Sequence, residues 1–161
     1  MKLFTIIIAA SLLMLAQACT ETKQNEQPDQ PGKTEEMKPI SPKDYTTFKV
    51  SDSVEMYAVT FKNQYMMDVS GHLFIPKNLD RNQKHAAIVV GHPMGAVKEQ
   101  SADVYASNMA NRGFITLAID LSFWGESAGE TRNAVAPDMY AEDFSAAVDF
   151  LGTRPFVDRN R

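Results

Sequence analysis

The chain has 161 residues and a formal net charge of −4, with 44% hydrophobic and 22% charged residues. This length fits one domain, and this composition is typical of a globular protein and excludes a wholly disordered one. The 16 basic residues are scattered along the chain, so the clustered positive face of a nucleic-acid-binding protein is not expected.

The first residues have the pattern of an export signal. Lys2 supplies a positive charge, and residues 3–15 form an apolar run that is shorter than the roughly 20 residues of a membrane-spanning helix. The small residues Ala16 and Ala18 then precede Cys19, the only cysteine of the sequence. We therefore expect residues 1–18 to be a signal peptide.

The position of Cys19 predicts that a lipid anchors the exported chain to a membrane. A lone cysteine directly after such a cleavage site resembles the lipidated first residue of a bacterial lipoprotein, which would make the membrane of the cell envelope a partner through the lipid anchor. The lipoprotein pattern prefers Leu three residues before the cysteine, where this chain has Ala16. Ordinary secretion with cleavage at the same bond, giving a periplasmic or secreted protein, stays open as the alternative.

A polar segment follows the cysteine. Residues 19–44 are rich in Lys, Glu, Gln, Asn and Pro and contain almost no large apolar side chain. Such a segment cannot bury enough apolar surface to fold, so we expect a disordered tether between the anchor and a domain of residues 45–161.

Two β-rich segments open this domain. Residues 55–61 and 66–75 carry aromatic and β-branched side chains, and residues 62–64 between them are turn-like. Gly71 is a candidate β-bulge, and Pro76 closes the second segment. The pattern predicts an antiparallel meander.

Two apolar strands, each followed by a helix, come next. Residues 86–90 and 114–119 are mostly apolar, which predicts strands of a parallel sheet buried on both faces. The first helix is expected to place Val104, Met109 and Ala110 on one face and to end at Gly113. The second helix begins near Pro137, and its apolar residues recur at helical spacing: Tyr140, Phe144, Val148 and Leu151.

This order of elements, with the turn His92-Pro93-Met94-Gly95 after one strand and the loop 120–127 after the other, resembles the N-terminal half of an α/β hydrolase of the exported esterase or dienelactone-hydrolase-like type. The resemblance implies an α/β fold in which a meander precedes parallel β-α-β-α units. It also implies a serine hydrolase that acts on esters or related acyl bonds of a small molecule and needs no cofactor. The nucleophile and the catalytic histidine would be absent from the chain, which would then be an inactive fragment.

The same resemblance assigns roles within the turn. In α/β hydrolases a backbone N–H after this strand completes the oxyanion hole, and here that N–H belongs to Met94. His92 would orient the turn through side-chain hydrogen bonds. A turn with only a structural role is the alternative.

Ser127 lies in a literal match to the Gly-x-Ser-x-Gly pattern, at residues 125–129. We expect a false match, because a nucleophile elbow follows a buried strand directly and precedes a helix. The three histidines, at 72, 85 and 92, all precede this serine. A triad of His92, Asp120 and Ser127 is the alternative; otherwise Asp120 and Ser127 bond backbone groups of the loop.

No metal-binding pattern such as CxxC or HExxH occurs, so the sequence predicts no metal site. The alternative to an enzyme is a non-catalytic, lipid-anchored α/β domain that binds a small ligand or a partner at the carboxyl ends of its strands. Residues 86–90 would form an exposed apolar edge in a fragment, so we expect the isolated chain to be marginally stable or insoluble.

Overall fold

A computed structural model describes residues 37–161. Its centre is a four-stranded mixed sheet whose strands lie in the order β1-β2-β4-β3. The strands are β1 (Val54–Lys62), β2 (Asp68–Pro76), β3 (Ala87–Gly91) and β4 (Ile115–Ile119), and the helices are α1 (Asp103–Asn111) and α2 (Pro137–Gly152). The expected signal peptide, Cys19 and most of the expected tether lie outside the described residues.

The first two strands form the expected antiparallel hairpin. β1 and β2 pair without interruption from Val54 and Pro76 to Lys62 and Asp68, so the expected bulge at Gly71 is wrong. A side chain at Gly71 would place its Cβ 2.9 Å from the backbone oxygen of Ala118. Glycine is therefore needed here because β2 lies close to its other neighbour, β4, and not because the strand bulges.

The next two strands confirm the predicted β-α-β unit. β3 and β4 pair in parallel from Ala87 and Ile115 to Gly91 and Ile119, and α1 connects them. β4 is buried at every position, as predicted, whereas β3 is only half-buried. The difference follows from position, because β4 lies inside the sheet and β3 lies at its edge in the described part of the chain.

Each face of the sheet has its own apolar core. Leu73, Leu117 and Leu151 belong to the core that α2 covers. Phe74 and Ala106 belong to the core that α1 covers. The domain is thus a sheet between two helical layers, which is the layered α/β arrangement that the sequence predicts.

The buried face of α1 differs from the expected one. Its buried residues are small or polar: Asp103, Ala106, Ser107 and Ala110. Val104 is 40% exposed, because the small side chains are the ones that let the helix lie close to the sheet. The contact is close enough for the Thr116 hydroxyl to donate a hydrogen bond of 2.8 Å to the Ala106 carbonyl.

α2 begins at Pro137 as expected, but its apolar stripe is only partly covered. Leu151 is buried, while Phe144 is 37% and Val148 60% exposed. The Phe144 ring lies against Gly91 of β3, where a Cβ would come within 2.5 Å of the ring. A groove of about 310 Å³ lies beside this contact. Its lining is part apolar (Ala87, Val89, Val148, Leu151 and Val157) and part charged (Asp149, Asp158, Arg159 and Arg161).

The domain is expected from the sequence to start at residue 45, but residues before it already contact the sheet. Ile40 forms an isolated bridge with Met56 of β1, and its N–H donates to the Met56 carbonyl at 2.8 Å. Met37 packs against the core on the α2 side, and a short 3₁₀ helix spans Pro42–Asp44. None of the helices within residues 37–161 is both long and apolar enough to cross a membrane.

Candidate active site

The candidate site lies where β3 and β4 end. These parallel strands finish side by side, at Gly91 and Ile119, and the chain leaves them through the turn 92–98 and the loop 120–134. Ligands of open α/β sheets bind at this carboxyl edge.

The turn after β3 presents the backbone N–H of Met94. The Ala96 N–H donates to the Pro93 carbonyl at 3.1 Å, and Gly95 has a φ of +82°, which makes residues 93–96 a type II turn. Met94 is the second residue of this turn, and its side chain is 77% exposed. No acceptor among the described residues takes the Met94 N–H, so this donor is available to a bound group.

His92 joins this turn to the loop after β4. Its Nδ1–H donates to the Pro93 carbonyl at 2.9 Å, and its Nε2 accepts the Leu121 N–H at 3.1 Å. Because a backbone N–H can only donate, Nε2 carries no proton in this arrangement. Both ring nitrogens of this buried side chain are occupied by backbone groups, which suits orientation of the turn and not proton transfer.

Lys98 makes the second connection between the turn and the loop. Its backbone N–H donates to Asp120 Oδ1 at 2.8 Å and its Nζ to Asp120 Oδ2 at 2.7 Å, and both side chains are fully buried. Nζ also bonds Glu99 at 2.6 Å and Glu126 at 2.8 Å, so its three protons are all used. Burial lowers the pKa of Lys98, but the hydrogen bonds to these carboxylates outweigh burial and raise it above its usual value. Lys98 therefore stays charged.

The loop after β4 folds around the Asp120 carboxylate. Oδ2 of Asp120 also accepts the Glu126 N–H at 2.9 Å. Gly125 has a φ of +50°, and a Cβ there would lie 2.1 Å from Oδ2. Only glycine fits this position, which explains the first glycine of the Gly-x-Ser-x-Gly match without any catalytic role.

Ser127 lies within this loop and is buried. Its Oγ–H donates to the Asp120 carbonyl and its Oγ accepts the Ser70 N–H, both at 2.8 Å. The structure places His92, Asp120 and Ser127 at the same edge of the sheet. No hydrogen bond joins the His92 ring to Ser127 or to the Asp120 carboxylate in the described residues.

Three buried charged residues near the site escape sequence reasoning. Lys98 has no local signal, because a lysine between Val97 and Glu99 belongs to no apolar run or helical stripe that would predict its burial. Asp143 of α2 accepts the Ser122 N–H at 2.6 Å and the Ser122 hydroxyl at 2.8 Å, and its position on the apolar face of the helix is the signal that could have found it. Asp103 pairs with His72, Oδ2 to Nδ1, at 2.8 Å; burial raises the pKa of this carboxyl while the bond to His72 opposes the rise.

The chain is similar in sequence to several longer proteins. No model of a known protein family matches it. An uncharacterized protein of Pseudomonas aeruginosa is 51% identical over 115 residues, which cover 71% of this chain and 31% of that protein. An uncharacterized protein of Escherichia coli is 41% identical over 102 residues (63% and 33%), and a thiohydrolase of Aspergillus aculeatus is 36% identical over 72 residues (45% and 23%). The chain thus spans about a third or less of the length of these relatives.

Superposition on solved structures identifies the fold. The crystal structure of a hypothetical protein from Pseudomonas aeruginosa superimposes with a TM-score of 0.70 at 48% identity, over 78% of this chain and 39% of that one. An α/β hydrolase from a Penicillium species gives a TM-score of 0.56 at 23% identity (64% and 34%), and an acetyl xylan esterase from a Paenibacillus species gives 0.55 at 17% identity (76% and 42%). Residues 37–161 therefore have the fold of part of an α/β hydrolase.

Proposed function

We propose that this chain is part of an exported serine hydrolase that cleaves esters or related acyl bonds of small molecules, and that its turn 92–98 supplies one donor of the oxyanion hole. The observation that carries the proposal is the Met94 N–H, which lies just after β3 and has no acceptor among the described residues. The α/β-hydrolase fold supports it, as do the esterase and the thiohydrolase among the similar proteins.

In this proposal the Met94 N–H acts on the substrate carbonyl. When a serine attacks that carbonyl, its oxygen gains negative charge, and a donor that is already in place stabilises this charge without reorganising. The type II turn fixes the direction of the N–H. His92 and Lys98, which bond the loop after β4, hold the two ends of the turn.

The nucleophile of this hydrolase is a serine other than Ser127. Both hydrogen-bonding roles of the Ser127 hydroxyl are filled by backbone groups, and the ring of His92 is engaged elsewhere. The chain spans about a third of the length of these relatives. We therefore propose that the serine and its histidine base lie in the remainder of a longer protein.

The test removes the one N–H without removing the turn. Met94→Pro lacks the donor, and proline is favoured at the second position of a type II turn, so the turn should persist. In the complete gene product, assayed with p-nitrophenyl acyl esters, we expect Met94→Pro to lower kcat by about 100- to 1000-fold. The control Met94→Ala keeps the N–H and should keep most of the activity.

Two outcomes would contradict this assignment. If the Met94→Pro protein melts at the parental temperature and hydrolyses the ester at the parental rate, the Met94 N–H does not contribute to the oxyanion hole. A complete gene product in which a fluorophosphonate probe labels no serine would instead favour the non-catalytic ligand-binding domain.

Export and lipidation are also part of the proposal. The support is the pattern of residues 1–19: one positive charge, an apolar run, and small residues before a lone cysteine. An enzyme tethered in this way would act on substrates in the cell envelope.

A further inference from the structure

A buried histidine outside the candidate active site has one ring nitrogen without a partner. His72 lies on β2 and is 1% exposed. Its Nδ1–H donates to Asp103 of α1 at 2.8 Å, whereas its Nε2 has no hydrogen-bond partner in the described residues. An unpaired polar atom at this depth is uncommon in a folded protein and needs an explanation.

The hydrogen bond to Asp103 prepares Nε2 for a particular kind of partner. With the proton on Nδ1, the lone pair of Nε2 points away from Asp103. Histidines that bind metals almost always donate their other ring N–H to a carboxylate or carbonyl in this way, which fixes the tautomer and the ring orientation.

Two carboxylates lie close to this histidine. Donor atoms of His72, Glu99 and Glu126 all lie within 4.8 Å of one another. The three residues come from β2, from the segment between β3 and α1, and from the loop after β4, so no local sequence pattern joins them. The side chains of Glu99 and Glu126 are 27% and 64% exposed, which leaves a route for an ion from solvent.

The charges around these atoms do not balance. Asp120, Glu99 and Glu126 surround the single ammonium of Lys98, so three carboxylates share one positive charge. A divalent cation held by Glu99 and Glu126 would correct this excess, and Lys98 would keep its buried bond to Asp120.

We propose that His72 Nε2, Glu99 and Glu126 bind a divalent transition-metal ion in competition with the ammonium of Lys98, and that zinc is the ion that fits best. One imidazole and two carboxylates form a ligand set that zinc accepts, with water as the fourth ligand. Donors around a tetrahedral zinc lie about 3.4 Å apart, given bonds of about 2.0–2.2 Å. The donor atoms of this cluster lie within 4.8 Å of one another, so the two carboxylates must leave Lys98 Nζ and close in around the ion. Glu126, at 64% exposed, has more freedom to move than Glu99, at 27%.

The experiment is a zinc titration of the complete gene product after removal of metals with a chelator. Calorimetry should show one zinc site, and zinc should raise the melting temperature. His72→Gln and Glu126→Gln should each weaken zinc binding by tenfold or more. The Glu126 side chain is largely exposed, so Glu126→Gln should fold even if the buried change at His72 does not.

The variant Lys98→Met distinguishes zinc binding at this site from adventitious zinc binding elsewhere on the protein. Loss of the competing ammonium should strengthen zinc binding by the folded protein, whereas a change outside the site should have no effect. His85→Gln and Glu130→Gln are the matched controls for a histidine and a carboxylate outside the cluster. No zinc binding, or binding that His72→Gln and Glu126→Gln leave unchanged, would overturn the proposal, as would weaker binding by folded Lys98→Met.

Discussion

Asp120 is the residue on which the contacts of the candidate active site converge. Its carboxylate accepts the backbone N–H and the ammonium of Lys98 and the backbone N–H of Glu126, and its carbonyl accepts the Ser127 hydroxyl. A buried carboxylate is stable only with such partners. The positions of the turn and of the loop therefore depend on one another through this side chain.

Gly125 tests how tightly the loop encloses Asp120. Gly125→Ala combines a positive φ with a Cβ 2.1 Å from the carboxylate, so we expect it to lower the free energy of unfolding by about 2–4 kcal/mol. Gly113→Ala is the control, because Gly113 also has a positive φ but no atom within 4 Å of its Cβ, and should cost about 1–2 kcal/mol. Urea unfolding measures both, and equal losses would show that the loop moves freely away from Gly125.

Glu126 should contribute to the acid sensitivity of the fold. Its hydrogen bond and ion pair with Lys98 hold its pKa below the ordinary value of 4.5. A carboxyl with a lowered pKa stabilises the fold above its unfolded pKa, and that contribution is lost as the pH falls through the folded value. The side chain is mostly exposed, so the contribution is below about 1 kcal/mol.

Glu126→Gln should therefore be less sensitive to acid than the parent protein. Unfolding by urea at a series of pH values from about 7 to about 3 measures the difference, which should shrink towards the acid end. Glu130→Gln, at an exposed acid outside the ion-pair cluster, should follow the parent curve. A constant difference across this range would mean that the Lys98 contact does not lower the pKa of Glu126.

Sequence reasoning reached some site residues and not others, for a physical reason. Apolar runs show where β3 and β4 end, and so they place His92, Met94, Asp120 and Ser127 at one edge of the sheet. The burial of Lys98, His72 and Asp143 depends on groups far away in the chain, and local patterns carry no information about such contacts.

At the scale of elements, helical spacing predicted where the helices lie but not which residues they bury. Val104 and Val148 belong to the expected apolar faces and are exposed. In α1, small residues and not large ones are buried against the sheet. In α2, the row of apolar side chains extends past the edge strand β3. Periodicity identifies a face, whereas the width of the sheet beneath it decides how much of that face is covered.

The groove between α2 and β3 should make the 161-residue chain self-associate. Val148 is 60% exposed at this groove, and β3 has no strand on its outer side in the described residues. Val148→Lys should reduce the association, which static light scattering would measure over a range of concentrations. Tyr105→Lys changes an exposed residue of α1 and is the control. Equal effects of the two variants would show that charge alone, and not the groove, controls association.

At the scale of the whole molecule, the order of elements carried most of the prediction. An antiparallel pair followed by two apolar runs with a helix between them was enough to predict the mixed α/β sheet, because few topologies suit that order. The boundary of the domain was harder to place. Ile40 is a single apolar residue in a polar segment, and its pairing with Met56 depends on the finished sheet.

The proposed lipidation of Cys19 concerns the location of the whole molecule. If it is lipidated, the complete gene product should fractionate with membranes and incorporate a labelled fatty acid, and Cys19→Ala should abolish both. Thr20→Ala, next to it, should change neither. Parental protein found in the soluble periplasmic fraction without label would favour ordinary secretion instead.

The contact of Gly91 with the Phe144 ring has a consequence for how related sequences can diverge. Any side chain at residue 91 would collide with this ring, and a smaller residue at 144 would leave a gap beside a bare glycine. The two positions should therefore covary: a homologue with alanine or a larger residue at 91 should carry a smaller residue at 144, and single replacements at either position should be rare.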